Sequence, residues 1–98
     1  MVELRFEWDP KKAAANQRKH GVSFEEAGTV FADEFAILLD DPDHSAEEAR
    51  FLLLGLSARL RALVVSHCYR KADEVIRLIS ARKATREERD AYKRRWRK

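Results

Sequence analysis

Apolar and charged positions alternate at the start of the chain. Leu4, Phe6 and Trp8 are interleaved with Arg5 and Glu7, the period of a half-buried strand over residues 4–8. Asp9-Pro10 then marks a helix start, because the Asp carboxylate can accept from orphan amides and proline is tolerated at the first helical position. The helix is expected to reach His20 and stop at Gly21, a residue that readily takes the left-handed conformation past a helix end. Lys12, Asn16, Lys19 and His20 share one stripe of it, and residues 13–15, all Ala, offer a small-residue surface for close packing. Ser23 and Glu26 form a capping box for a second, short helix with a core stripe of Phe24, Ala27, Gly28 and Phe31. Gly28 lowers helix propensity there, which implies close approach to a neighbour.

Residues 35–39 read as a short strand ended by Asp40, Asp41 and Pro42. Three strands follow as a meander, over residues 50–57, 62–69 and 75–81, joined by polar turns short enough for antiparallel neighbours. By the period of two, His67 shares a face with Leu63, Val65 and Tyr69, the setting of a core histidine, although the strand after it carries Arg77. Thr85 and Glu88 form another capping box, so a last helix occupies residues 85–98. Tyr92 and Trp96 give it a narrow apolar stripe amid basic residues, which suits a soluble tail or a docking element for RNA or a partner protein. The expected fold is α+β: two N-terminal helices and a C-terminal helix against a mostly antiparallel sheet, in one domain spanning 1–98.

Composition narrows the class. The 98 residues are 38% charged and 45% apolar, which is globular rather than disordered. The net charge of +3 conceals a segregation: residues 25–49 hold nine carboxylates and no Lys or Arg, while residues 82–98 hold nine basic groups against three acidic. Such a dipolar surface favours a polyanionic partner at one end and a cationic one at the other, unless both are solvated surface. Cys68, the single cysteine, has no internal disulfide partner and sits in an apolar run, as an inert buried thiol does. There is no signal-peptide core and no apolar run near the ~20 residues of a membrane span, so a cytoplasmic protein without membrane contact is expected. Asp40, Asp41, Asp43, His44, Glu47 and Glu48 have neither EF-hand nor zinc spacing, so they read as a solvated turn rather than a metal site.

The chemistry concentrates in VIRLISARKAT, residues 75–85. Its β-branched and aliphatic residues specify a strand, yet Arg77 lies inside it and Arg82 and Lys83 at its end. A permanent cation in a small sheet is costly unless its face meets water or an anion. A basic strand flanked by more positive charge is suited to holding a phosphate chain.

Three stretches, FEWDPKKAAANQRKHGVSFEEAGTVF, DPDHSAEEARF and IRLISARKATREERDAY, resemble in the same order the BrnT family, toxins of bacterial type II toxin–antitoxin pairs similar to the RelE-like ribonucleases. The resemblance covers about residues 5–92; the basic end after Tyr92 is unmatched, and Gly28 stands where alanine is expected. It implies a RelE-like fold and an RNA-cutting toxin that arrests growth. It also implies a cognate ribbon-helix-helix antitoxin, with operator DNA bound only through the complex.

RNA can be cut without metal or cofactor when its own 2′-OH attacks the adjacent phosphate. The protein must then align the backbone, stabilise charge on the phosphoryl oxygens and move two protons. Arg77 and Arg82 are the candidates for the charge, and His67 or His20 for a proton. Lys12, Lys19, Arg50 and Lys83 would position phosphates. The alternatives are a non-catalytic basic module that docks an antitoxin or nucleic acid, and a metal nuclease using the acidic run.

Overall fold

A computed structural model describes residues 4–41, 49–72 and 74–96. Strand β1 (Arg5–Glu7) leads into helix α1 (Pro10–His20), helix α2 (Phe24–Thr29) and a 3-10 turn (Val30–Ala32). Strands β2 (Ile37–Asp40), β3 (Phe51–Leu56), β4 (Ala62–Arg70) and β5 (Val75–Lys83) follow, then helix α3 (Arg86–Trp96). The sheet has five strands in the order β1-β5-β4-β3-β2. Only the β1–β5 pair in that sheet is parallel, so the fold is the expected α+β with a mostly antiparallel sheet.

Local signals set the helix ends. Asp9 accepts from the Lys11 amide, Pro10 opens α1, and Gly21 closes it at φ 69°, a left-handed conformation that costs glycine little. The capping box of α3 is complete: the Thr85 amide donates to Glu88 Oε1 at 2.8 Å and the Glu88 amide to Thr85 Oγ1 at 3.2 Å.

That of α2 is half formed. Ser23 Oγ accepts from the Glu26 amide, but the Glu26 carboxylate turns into the protein to meet Arg61 and Ser57 Oγ. It is buried there and held below the usual carboxylate range, chiefly by hydrogen bonding to the Arg61 guanidinium. Arg61 also donates to Gly21 O, so one ion pair ties both N-terminal helices to the β3–β4 turn.

Registered partners share a sheet face, which sorts the side chains. Leu53, Leu63, Val65, Ile76, Leu78 and Ala81 meet Val22, Phe24, Ala27 and Val30 in the main core. On the opposite face Leu54 and Val64 pack with Ala84 and Tyr92, which docks α3. Tyr92 is 5% exposed and its hydroxyl donates to Asp33 Oδ2 at 2.6 Å, so the last helix is anchored by this residue despite its thin apolar stripe.

Two expectations change. Strand β5 runs on through Arg82 and Lys83, because these pair with Val64 and Leu63 of β4. Gly28 faces the Phe6 ring, but a Cβ there would lie 3.6 Å from it, ordinary van der Waals contact, so crowding does not demand glycine. Crowding is real at Gly55, where a Cβ would fall 2.9 Å from Val30 Cγ1 and 3.0 Å from Ala36 Cβ.

Candidate nucleic-acid site

Strand β1 covers β5 only as far as Arg77. Beyond it α1 takes over the edge: Asn16 Nδ2 donates to Ala81 O at 2.9 Å, and the Ala81 amide donates to Asn16 Oδ1 at 3.0 Å. A buried asparagine thus satisfies backbone groups that a neighbouring strand would otherwise pair. This contact holds the helix stripe of Lys12, Lys19 and His20 beside β5.

The register of β5 against β4 breaks between Ser66 and His67. Ser66 lies opposite Ser80 and His67 opposite Leu78, which leaves Ile79 as an extra residue. Arg77 and Arg82 are five apart, so a regular strand would point them to opposite faces. With the bulge between them, Arg77 is registered with Cys68 and Arg82 with Val64, and these two share a face of β4. Both guanidiniums therefore stand on one face, the face that also carries Ser66.

Continuing the β3–β4 register by one residue sets Arg50 opposite Cys68, in the row of Arg77. The Arg50 Nε is buried and has no hydrogen-bond partner among the described residues. A buried donor in this condition calls for an acceptor. Asp41 lies beside this row, its amide donating to Arg50 O, and Ser66 Oγ donates to its carboxylate at 3.3 Å.

Arg77 and Arg82 each already hold a carboxylate. Arg77 Nη1 is 2.8 Å from Glu7 Oε2, and Arg70 Nε is 3.7 Å from the same oxygen. Arg82 grips Glu88 with both terminal nitrogens, at 2.7 and 2.9 Å. That fork pushes the Glu88 carboxyl down to about 2 and the Arg82 guanidinium upward.

A second basic surface lies around the edge of β5. Lys12, Ala15, Asn16, Lys19 and His20 of α1 and Ile79 and Ser80 of the bulge line a groove of about 220 Å³. Ser80 belongs to both surfaces, since it is registered with Ser66 and also lines this groove. The proposed phosphate-binding lysines Lys12 and Lys19 thus come together with His20. Lys83, exposed and opposite Leu63, stands on the other face from Arg82.

His67 is not brought to either surface. It is fully buried on the helix-covered face, edge-on to Phe31 with ring centroids 4.8 Å apart. Because the Val65 carbonyl can only accept, the His67 Nδ1 at 3.1 Å carries the proton, leaving Nε2 facing the Tyr69 hydroxyl at 3.2 Å. Burial lowers its pKa, so the imidazole is held neutral.

Sequence reasoning did not reach Ser66, Ser80, Glu7 or Glu88 as members of these surfaces. Glu88 alone had a sequence signal, as a cap. Of the acidic run, Asp43, His44, Glu47 and Glu48 lie outside the described residues. Among the described residues no three His, Cys, Asp or Glu side chains gather as metal ligands, and no helix is long and apolar enough to cross a membrane.

Residues 8–88 match the family model described as "Ribonuclease toxin, BrnT, of type II toxin-antitoxin system". The fold is similar to the 1.1 Å crystal structure of the Brucella abortus ribonuclease toxin, BrnT, with a TM-score of 0.62 at 22% identity. The similarity covers 86% of this chain and 100% of that one, and at this identity it bears on the fold alone. Comparison with curated protein sequences yields no match.

Proposed function

This chain belongs to the BrnT ribonuclease toxins of type II toxin–antitoxin systems, and on that premise we propose that it cuts RNA on its arginine face without a metal. The observation that carries this reading is the bulge at Ile79. It turns Arg77 and Arg82 to one face, in line with Arg50, and presents Ser80 to the Lys12–Lys19–His20 groove.

In this reading the 2′-oxygen forms a bond to the adjacent phosphorus while the bond from phosphorus to the 5′-oxygen breaks. The 2′-OH loses a proton, the departing 5′-oxygen gains one, and the products are a 2′,3′-cyclic phosphate and a 5′-OH. Arg77 and Arg82 stabilise the charge that builds on the equatorial oxygens, for which a permanent fork of donors is suited. Arg50, whose Nε has no hydrogen-bond partner among the described residues, adds its guanidinium to the phosphate contacts. Lys12 and Lys19 position flanking phosphates and His20 moves a proton from its place in the groove, whereas Lys83, on the face opposite Arg82, takes no part.

The family supplies an antitoxin partner and an RNA substrate. We take the antitoxin to be of the ribbon-helix-helix kind, with operator DNA reached only through the complex. Family membership favours catalysis over a basic module that merely binds.

The test is an RNA oligonucleotide incubated with the purified chain in EDTA, with the cut ends analysed by mass spectrometry. Cyclic phosphate ends, and protection of the cut site by a single 2′-deoxy substitution, are expected. Cleavage abolished by EDTA, or persisting at the deoxy site, would remove the 2′-OH mechanism.

A further inference from the structure

We propose that the outer edge of β2 is the surface on which the antitoxin docks, by adding an extended apolar segment flanked by Lys or Arg as a sixth strand. The inference rests on the family assignment, which supplies the antitoxin, and not on which residues cut RNA.

Among the described residues the sheet has two margins, β1 and β2. A margin strand presents unpaired backbone groups, and proteins blunt such edges with short length, charge or proline. Strand β1 is blunted: it has three residues, and Arg5 and Glu7 are two of them. Strand β2 is not. Its first three residues are Ile37, Leu38 and Leu39, with Leu38 54% and Leu39 46% exposed. They project to opposite faces, since Leu38 is registered with Leu53 and Leu39 with Leu52. Phe35, just before the strand, is 44% exposed. Large apolar side chains on both faces of an edge are what strand addition recognises: backbone groups give affinity, and alternate side chains give selectivity.

Charge selects the occupant. Exposed Glu34 and Asp40 flank the apolar residues, and no Lys or Arg occurs in the sequence between 25 and 49. A second copy meeting this edge would bring like charge to like charge, whereas a segment with basic flanks finds complementary partners. The placement also bears on control of the toxin. Leu39, Leu52 and Ser66 form one row on the arginine face, so a strand added to β2 extends that face and stands beside the RNA path.

The test compares wild type with Leu38→Lys, Leu39→Lys in binding the purified cognate antitoxin by calorimetry, with thermal unfolding alongside. At least a tenfold loss of affinity in a folded variant is expected, and unchanged affinity overturns the proposal. If the variant does not fold, amide hydrogen exchange of the wild-type complex decides: slowed exchange across residues 37–40 supports the assignment, and unaltered exchange there overturns it. A concentration-dependent dimer of the free chain, abolished by Leu38→Lys, would give the edge to a second copy and overturn it too. Failure of the wild type to cut RNA would count against the proposed chemistry only, since antitoxin affinity is measured independently.

Discussion

Arg77 and Arg82 stand on the same face of the sheet although they are five positions apart, because Ile79 has no counterpart on β4. A one-residue insertion thereby brings to one face two arginines that a regular strand would point to opposite faces. Removing the insertion should undo this. Deletion of Ile79 in a chain that still folds is expected to lower RNA affinity at least tenfold in a filter-binding or fluorescence titration, because one arginine is turned away. Unaltered affinity would mean that the common face is incidental.

The Arg82–Glu88 fork joins the candidate site to α3. Glu88→Gln should cost about 1 kcal/mol of stability at neutral pH, the scale of a partly exposed ion pair and cap together. The Glu88 carboxyl is lower folded, at about 2, than its ordinary 4.5. Its contribution is therefore fully present above pH 4.5 and is lost as the pH falls towards 2. Urea unfolding of both proteins at pH 7 and near pH 2 should show the gap closing in acid. The same variant releases the Arg82 guanidinium, so its RNA affinity should rise while its stability falls.

His67 behaves as a core residue in this structure, and its burial predicts a pH signature of the same sign in a higher window. Its pKa is lowered on folding, so the unfolded chain binds more protons in the window just below 6.5, and stability rises with pH through that window. His67→Gln should flatten this part of the stability profile, measured by thermal unfolding between pH 4.5 and 7.5. A profile unchanged by the substitution would show that another group is responsible.

How much of this could be read in advance depends on range along the chain. The ends of α1 were legible because Asp9, Pro10 and Gly21 act within a few residues of themselves. The meander was legible for the same reason, from apolar runs and short polar turns. The bulge was not, because Ile79 looks like any strand residue until the pairing of β5 with β4 is known. The sequence sets Arg82 and Lys83 only at the strand's end for the same reason: their partners Val64 and Leu63 are distant in sequence. Asn16 fell on the basic stripe of α1, but its backbone partner Ala81 is 65 residues away, so its edge-sealing role had no local signal. Glu26 was read as a cap, and the buried Arg61 contact that captured its carboxylate is 35 residues distant.

That Glu26–Arg61 pair makes its own prediction. Arg61→Ala leaves a carboxylate whose side chain is 5% exposed with only the exposed Arg59, 3.9 Å away, as counter-ion, which should cost about 3 kcal/mol at pH 7. With Arg61 present the Glu26 carboxyl is held low, and without it burial pushes the group up instead. The variant's deficit should therefore shrink on moving from pH 7 to pH 4, where the abandoned carboxyl can take a proton. Denaturant midpoints at the two pH values check this, and a deficit that stays constant would contradict it.

The most direct measurement is single-turnover cleavage of an RNA oligonucleotide by purified wild type and by Arg77→Ala, Arg82→Ala, with antitoxin binding as the control for folding. Removing a preorganised donor to a developing oxyanion costs on the order of 100- to 1,000-fold in rate. The account predicts a loss of at least that size with antitoxin affinity preserved. Undiminished cleavage by the folded double variant would contradict it and place the reaction elsewhere on the chain.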